Sequence, residues 1–249
     1  MKAVGWVFVN TIQALYTAFW TLLWVPVALL VLVVTFNRRY PLAMARHIWA
    51  AGMIWGARAK LEISGLENVD FSKPHVFVCN HQSMIDIPIL FNVIPANLHF
   101  VLKKELLYVP LIGAYAWAMG MIFVDRKQQS LTLSSVRKIG RLVRMGRSVV
   151  AFPEGTRSRG RGIRPFKRGV FFAASEAGVA IVPMALEGAD RVLPSDHFAI
   201  RPGVVRISLG KPVQTSNLTS QQRLELPETM RKVVLQLYEG IKYSGELSR

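Results

Sequence analysis

From residue 3 to residue 37 the chain carries no charged side chain. That exceeds the roughly 20 residues needed to cross the hydrocarbon core of a bilayer. It is also longer than the apolar core of a signal peptide, and no small-residue cleavage site closes it. Pro26 interrupts the stretch after Trp20 and Trp24, whose indoles suit a headgroup boundary. One tilted span and two shorter helices dipping into one leaflet both satisfy the pattern. A buried helix of a soluble protein is the remaining reading, although such helices are usually shorter. Arg38 and Arg39 follow directly, so the positive-inside rule places the rest of the chain on the cytoplasmic side of a cell inner or plasma membrane. Residues 43–59 set Arg46, His47 and Arg58 among Ile48, Trp49, Met53, Ile54 and Trp55, the pattern of an amphipathic interfacial helix. Residues 1–59 are therefore expected to form a helical membrane anchor, and residues 60–249 a separate domain.

Charge narrows the partners. The chain has 31 Lys and Arg against 15 Asp and Glu, a formal net charge of +16, yet 51% of it is hydrophobic. That balance excludes disorder, which needs low hydrophobicity, and favours an anionic lipid surface. Nucleic acid is the weaker alternative, because aromatic residues are not interleaved with the basic run, and no nucleic-acid partner is expected. Cys79 is the only cysteine, so no internal disulfide and no cysteine-built zinc site can form. The five histidines (47, 75, 81, 99 and 197) lack metal-ligand spacing, and no metal or cofactor is expected.

Beyond residue 60 short β-rich runs alternate with helical stretches. Residues 61–64, 75–79, 98–102, 121–124, 148–152, 180–186 and 204–209 read as strands. Those near 75, 148 and 180 are continuously apolar, as strands buried on both faces are. Residues 85–93, 111–119, 131–145, 168–176 and 221–243 read as helices. The alternation predicts a layered α/β domain with a largely parallel or mixed central sheet.

Two constellations carry chemistry. The first is Asn80-His81-Gln82-Ser83-Met84-Ile85-Asp86. Residues five apart lie about 140° around a regular helix, so His81 and Asp86 pair only if the histidine sits at a strand end and the aspartate in the first helical turn. The carboxylate then orients one ring nitrogen and raises the basicity of the other. The competing reading is a capping box from Ser83 to Asp86, with Asp86 serving the helix end alone; both roles are compatible. Cys79, two residues before His81, is a candidate acyl nucleophile, though a cysteine ending an apolar strand is more often core.

The second constellation is Phe152-Pro153-Glu154-Gly155-Thr156-Arg157-Ser158. It turns at the end of a strand, where α/β sheets commonly bind ligands. The planar fork of Arg157 suits a phosphate, with hydroxyl donors beside it. A solvated turn with a weak Glu154–Arg157 pair is the alternative. Lys103 also follows an apolar strand. Between residues 126 and 168 there are thirteen Lys or Arg residues and one acid, Glu154, a one-sidedness that fits anionic lipid or an acidic acyl-carrier protein.

Together these residues resemble the glycerolipid acyltransferase family, specifically its 1-acyl-sn-glycerol-3-phosphate acyltransferases. His81 through Asp86 is similar to the first family block. Lys103 through Pro110, with Gly113 and Arg126, is similar to the second, Phe152 through Arg157 to the third, and Val182-Pro183 to the fourth. The resemblance runs from about residue 60 to 212. It implies that His81 is a general base oriented by Asp86 and that no acyl-enzyme forms. It further implies that Lys103, Arg126, Glu154, Gly155, Thr156 and Arg157 form the acceptor's phosphate site, with Glu154 in support. Val182 and Pro183 would border the acyl or acceptor pocket, and Met184, where a smaller aliphatic is common, would alter its shape. The implied substrates are lysophosphatidic acid and an acyl-CoA or acyl-acyl carrier protein, at a membrane. Another lysolipid acceptor, or a non-catalytic basic membrane-binding protein, remain the alternatives.

Overall fold

Seven strands and nine α-helices, in a computed structural model describing residues 2–125, 133–196 and 199–247, account for these patterns. The apolar runs become the middle of one sheet because their side chains alternate between two buried faces. In β2 (Val76–Cys79), Phe77 and Cys79 enter one core while Val76 and Val78 enter the other. In β5 (Ser148–Ala151), Val150 parts from Val149 and Ala151 in the same way.

With β1 (Ala59–Ser64), β3 (Leu98–Lys103), β4 (Ile122–Val124), β6 (Ile181–Glu187) and β7 (Gly203–Leu209), the order is β1-β7-β6-β2-β5-β3-β4. Every neighbouring pair is parallel except β6–β7, so the sheet is mixed and largely parallel. From β2 the chain leaves through α4 (Asp86–Val93) on one face, whereas β5 leaves through α7 (Gly169–Ala177) on the other. The carboxyl ends of these two strands thus open at a point where successive connections part, the usual place for a site in such sheets. On the α7 face, α6 (Leu133–Arg144) buries Ile139, Leu142 and Val143 and exposes Arg137, Arg141 and Arg144. It is joined there by α9 (Ser220–Leu247). Helices α5 (Ile112–Ala118) and α8 (Ala189–Val192) complete the other layer.

The apolar N-terminus is one helix, α1 (Lys2–Thr35), with Pro26 inside it. Among the described residues it is the one helix long and apolar enough to cross a membrane. The chain then reverses through α2 (Arg39–Met44), a π-helical turn at Ala45–Ala50 and α3 (Ala51–Gly56), which together make one continuous arm. Sequence pattern suggests an interfacial helix here. Instead the arm is held between α1 and the α/β layers, with Leu42, Ala45, Ala50, Ile54 and Ala57 in the same core as Phe91 and Phe100. The contact with α1 is built on two small residues, Gly52 and Gly56, which meet the rings of Trp20 and Tyr16. Tyr16 Oη donates to the carbonyl of Gly52, Trp20 Nε1 to that of Trp49, and Trp49 Nε1 to Thr21 Oγ1.

A Cβ added to Gly52 would lie 2.2 Å from the Trp20 ring. Overpacking a fixed ring costs about 1–3 kcal/mol, which outweighs the roughly 1 kcal/mol that Ala gains over Gly in a helix. Gly52→Ala is therefore expected to lower the unfolding midpoint in detergent. Gly240→Ala, where nothing lies within 4 Å of the new Cβ, is expected to raise it. Calorimetry on the two variants checks the pair.

Candidate active site

Parallel pairing of β2 with β5, in the register Val78↔Ala151, brings the two motifs together although they lie 73 residues apart. Each motif leaves its strand at the same sheet edge. His81 Nδ1 lies 2.7 Å from Asp86 Oδ2, and the same oxygen accepts from the backbone amides of Gln82 (2.7 Å) and Ser83 (2.9 Å). An oxygen that already accepts from two amides offers the imidazole a lone pair and not a proton. The imidazole must therefore carry its proton on Nδ1, which leaves the lone pair of Nε2 free. Asp86 is fully buried, and its Oδ1 has no hydrogen-bond partner. An unmet acceptor of this kind costs about 1–3 kcal/mol, which a helix cap alone would not require. Asp86 opens α4 as the strand-end geometry demands, and it holds loop amides and imidazole at once. Ser83 serves the helix end as well: its hydroxyl oxygen accepts from the Ile85 amide at 3.3 Å while the hydroxyl donates to the Leu193 carbonyl at 2.6 Å.

The rest of the loop is pinned to one distant segment. The Asn80 amide bonds both the N–H and the carbonyl of Leu186 at 2.8 Å, and Gln82 Oε1 accepts from the Ala189 amide at 3.2 Å. With Ser83 on Leu193, residues 80–83 are fastened to residues 186–193. His81 is also stacked on Phe152, ring centroids 4.1 Å apart and planes 17° from parallel. The imidazole is thus held at its edge by Asp86 and on its face by Phe152.

Glu154 joins the motifs. One carboxylate oxygen accepts from the His81 amide at 2.8 Å and the other from the Arg164 amide at 2.9 Å. Burial pushes its carboxyl up from the usual range, and the two amides act against that. The His81 carbonyl in turn accepts from the Ser158 amide at 2.8 Å, so the second loop is fixed to the first through both the amide and the carbonyl of His81. Glu154 is therefore a brace of the backbone, with both oxygens occupied, and not itself a group facing an anion. The turn beyond it needs Gly155, whose φ is +72°.

The remaining candidates fall out differently. Arg157 lines a cavity beside the loop after β2, and among the described residues no carboxylate pairs with it. Thr156 is half-buried next to it. Lys103 stands at the end of β3, on the same sheet edge, with its ammonium 3.1 Å from Glu105 in an exposed ion pair. Arg126 lies outside the described residues. Val182 and Pro183, expected at the border of a pocket, are not among the residues that line the cavity. They are buried in β6, opposite Phe77 and Val78 of β2, because that strand is covered on both faces. Met184 is likewise core. The chain that follows the fourth motif is the segment that fastens residues 80–83. Cys79 is fully buried, and burial, then the charges of Asp86 and Glu154, push its thiol well up. That disfavours the thiolate an acyl nucleophile requires.

The cavity holds about 570 Å³, within the range of small-molecule sites. Its walls are almost wholly apolar. They come from α1 (Trp24, Val25, Ala28), the second anchor arm (Trp49) and α4 (Ile87, Phe91), with Arg157 at the catalytic side. The role of the anchor as a wall is not legible in its sequence, where the stretch shows only uniform apolarity. Nor does sequence reasoning single out Phe152 and Asn80 as positioning groups. Their signal is position: Asn80 directly precedes His81, and Phe152 directly follows β5, two residues before Glu154.

Residues 60–187 match the family model described as Acyltransferase. The chain belongs to the acyltransferase family. It is 34% identical over 191 residues to "1-acyl-sn-glycerol-3-phosphate acyltransferase BAT2, chloroplastic" of Brassica napus, a match covering 75% of this chain and 55% of that protein. To "1-acyl-sn-glycerol-3-phosphate acyltransferase alpha" of Mus musculus it is 30% identical over 197 residues, 78% of this chain and 68% of that one. The chain therefore spans about half the length of the plant relatives it matches. Its fold is that of the 1-acyl-sn-glycerophosphate acyltransferase PlsC from Thermotoga maritima, with a TM-score of 0.81 at 24% identity, covering 97% of this chain and 98% of that one.

Acceptance by Asp86 Oδ2 fixes the tautomer of His81. Asp86→Asn is expected to lower kcat by about 10³–10⁴-fold, the scale of losing the orienting carboxylate of a catalytic histidine, while KM for the acceptor changes by no more than a few fold. Steady-state kinetics with the acceptor varied measures both.

Proposed function

We propose that this chain transfers an acyl group from a thioester to the sn-2 hydroxyl of lysophosphatidic acid, giving phosphatidic acid at a membrane. The observation that carries the reading is the free Nε2 of His81, held by Asp86 and Phe152 beside an apolar cavity with an unpaired guanidinium at its catalytic side. The names borne by the relatives supply the acceptor class.

In this mechanism the Arg157 fork holds the acceptor's phosphate, with Thr156 beside it and Lys103 and Arg126 as further cations. His81 Nε2 takes the proton of the sn-2 hydroxyl as that oxygen attacks the thioester carbonyl carbon. The tetrahedral oxyanion collapses, the carbon–sulfur bond breaks, and the thiolate recovers a proton from the imidazolium. An ester and a free thiol result. No acyl-enzyme is needed, in keeping with the buried, protonated Cys79. The cavity receives an acyl chain, since its apolar walls exclude water from the alkyl stem and leave the polar chemistry at the edge beside Arg157. Because α1 and the second arm form part of those walls, a lipid enters from the membrane without crossing water. Arg38 and Arg39 at the end of α1 favour a site on the cytoplasmic side.

The test combines purified chain, lysophosphatidic acid and both acyl-CoA and acyl-acyl carrier protein donors, with the lipid product identified by mass spectrometry. Wild type is expected to yield phosphatidic acid, and His81→Ala none, while sedimentation with vesicles is unchanged. Arg157→Ala is expected to raise KM for lysophosphatidic acid about 10–100-fold, as for one lost charge-assisted contact, without affecting a monoacylglycerol acceptor. Wild-type turnover by His81→Ala would overturn the assignment.

A further inference from the structure

At the opposite edge of the sheet, a second group of cations surrounds a buried histidine. His99, near the start of β3, is fully buried, and neither of its ring nitrogens makes a well-formed hydrogen bond. A Cβ placed on Gly120 would lie 3.9 Å from His99 Cε1 and 3.4 Å from Nη1 of Arg38, so the guanidinium of the residue that precedes α2 and the histidine border the same glycine. Lys138 arrives from α6, its ammonium donating to the Met121 carbonyl at 2.6 Å. Arg147, one residue before β5, keeps its Nη1 buried without a partner.

The electrostatic surroundings are all of one sign. His99 feels Arg147, Arg38 and Lys138; Lys138 feels Arg38; and Arg147 feels Arg38 and Arg39. No carboxylate figures at any of them. Burial, followed by the charge of Arg147, holds the His99 imidazole down at about 4, against a weaker opposing pull from the Gly120 backbone. The ring therefore stands neutral, with an N–H to donate. A purely structural cluster would pair its guanidinium groups or leave them to water. Here a guanidinium nitrogen is buried without a partner, beside an imidazole poorly met, among cations. That set of donors matches the oxygens of a phosphate.

We propose that Arg38, Lys138, Arg147 and His99 form a second anion site that binds a phosphate group, the headgroup of an acidic lipid or a free phosphate. It is separated from the catalytic edge by the length of the central strands, roughly 13–20 Å. It is independent of acyl transfer and of the phosphate held by Arg157. Arg38 and Arg39 lie at the start of α2, just past the turn that ends the apolar helix, a place that would carry this edge to the headgroup layer and favours a lipid as the source. Occupancy would tie the start of α2 to α6 and to the start of β5, three elements whose cations otherwise repel one another.

The experiment uses the full chain in dodecylmaltoside, with Arg157→Ala as background so that the catalytic phosphate site does not contribute. Inorganic phosphate and dioctanoyl phosphatidic acid are titrated, with dioctanoylglycerol as control, and the unfolding midpoint and phosphorus NMR line shape are followed. Binding is expected in this background, and adding Arg38→Ala with Arg147→Ala is expected to weaken it at least 10-fold. Arg38→Ala alone, at an exposed position, gives the same direction of change should the double variant fail to fold. Phosphatidic acid binding without inorganic phosphate binding identifies the lipid as the source, and binding of both identifies a general phosphate site. No binding in the Arg157→Ala background overturns the proposal. An equal loss on substituting the exposed Arg137 and Arg141 also overturns it, since diffuse positive charge would then suffice.

Discussion

The carboxylate of Glu154 is the point on which the site depends. Its two oxygens hold the amides of His81 and Arg164, and so fix the loop after β2 to the loop after β5. Parallel strands bring those loops to one edge, but side-by-side strands alone leave each loop free to move. Burying an ionised carboxylate is costly unless its lone pairs are met, and here backbone donors meet them. The stack of His81 on Phe152 rests on that foundation and would be lost if the loops parted, whereas the grip of Asp86 on the imidazole is made within the first loop.

The apolar helix and the arm that follows it are joined to the proposed site in the same physical sense. Its second arm shares a core with α4, and α4 opens with Asp86. The close approach of Trp20 to Gly52 sets α1 against that arm, and both then line the cavity. An apolar stretch that pattern assigns to membrane attachment is also part of the wall around the proposed acyl chain. Division of the chain at residue 59 is thus a division of sequence pattern, with buried residues on both sides of it packed into one cluster.

The sheet is legible because its central strands are short apolar runs bounded by turn residues: residues 75–79 read as a strand where Val76–Cys79 forms one, and 180–186 where Ile181–Glu187 does. The His81–Asp86 pair is legible because helix geometry leaves only a strand-end histidine and a first-turn aspartate. What periodicity cannot show are contacts between distant parts of the chain. Ser83 reads as a cap, and only the fold shows that its hydroxyl also reaches Leu193, 110 residues away. Pro183 and Val182 read as pocket residues from their motif, yet both faces of β6 are covered. The docking of the second anchor arm depends on Gly52 and Gly56 meeting aromatic rings of α1, a complementarity invisible in either segment alone.

If His81 deprotonates the acceptor directly, the protein never carries the acyl group. Incubating the chain with an acyl thioester in the absence of any acceptor should then leave the intact protein mass unchanged, with no burst of free thiol. A stoichiometric acyl adduct with a matching burst would contradict it.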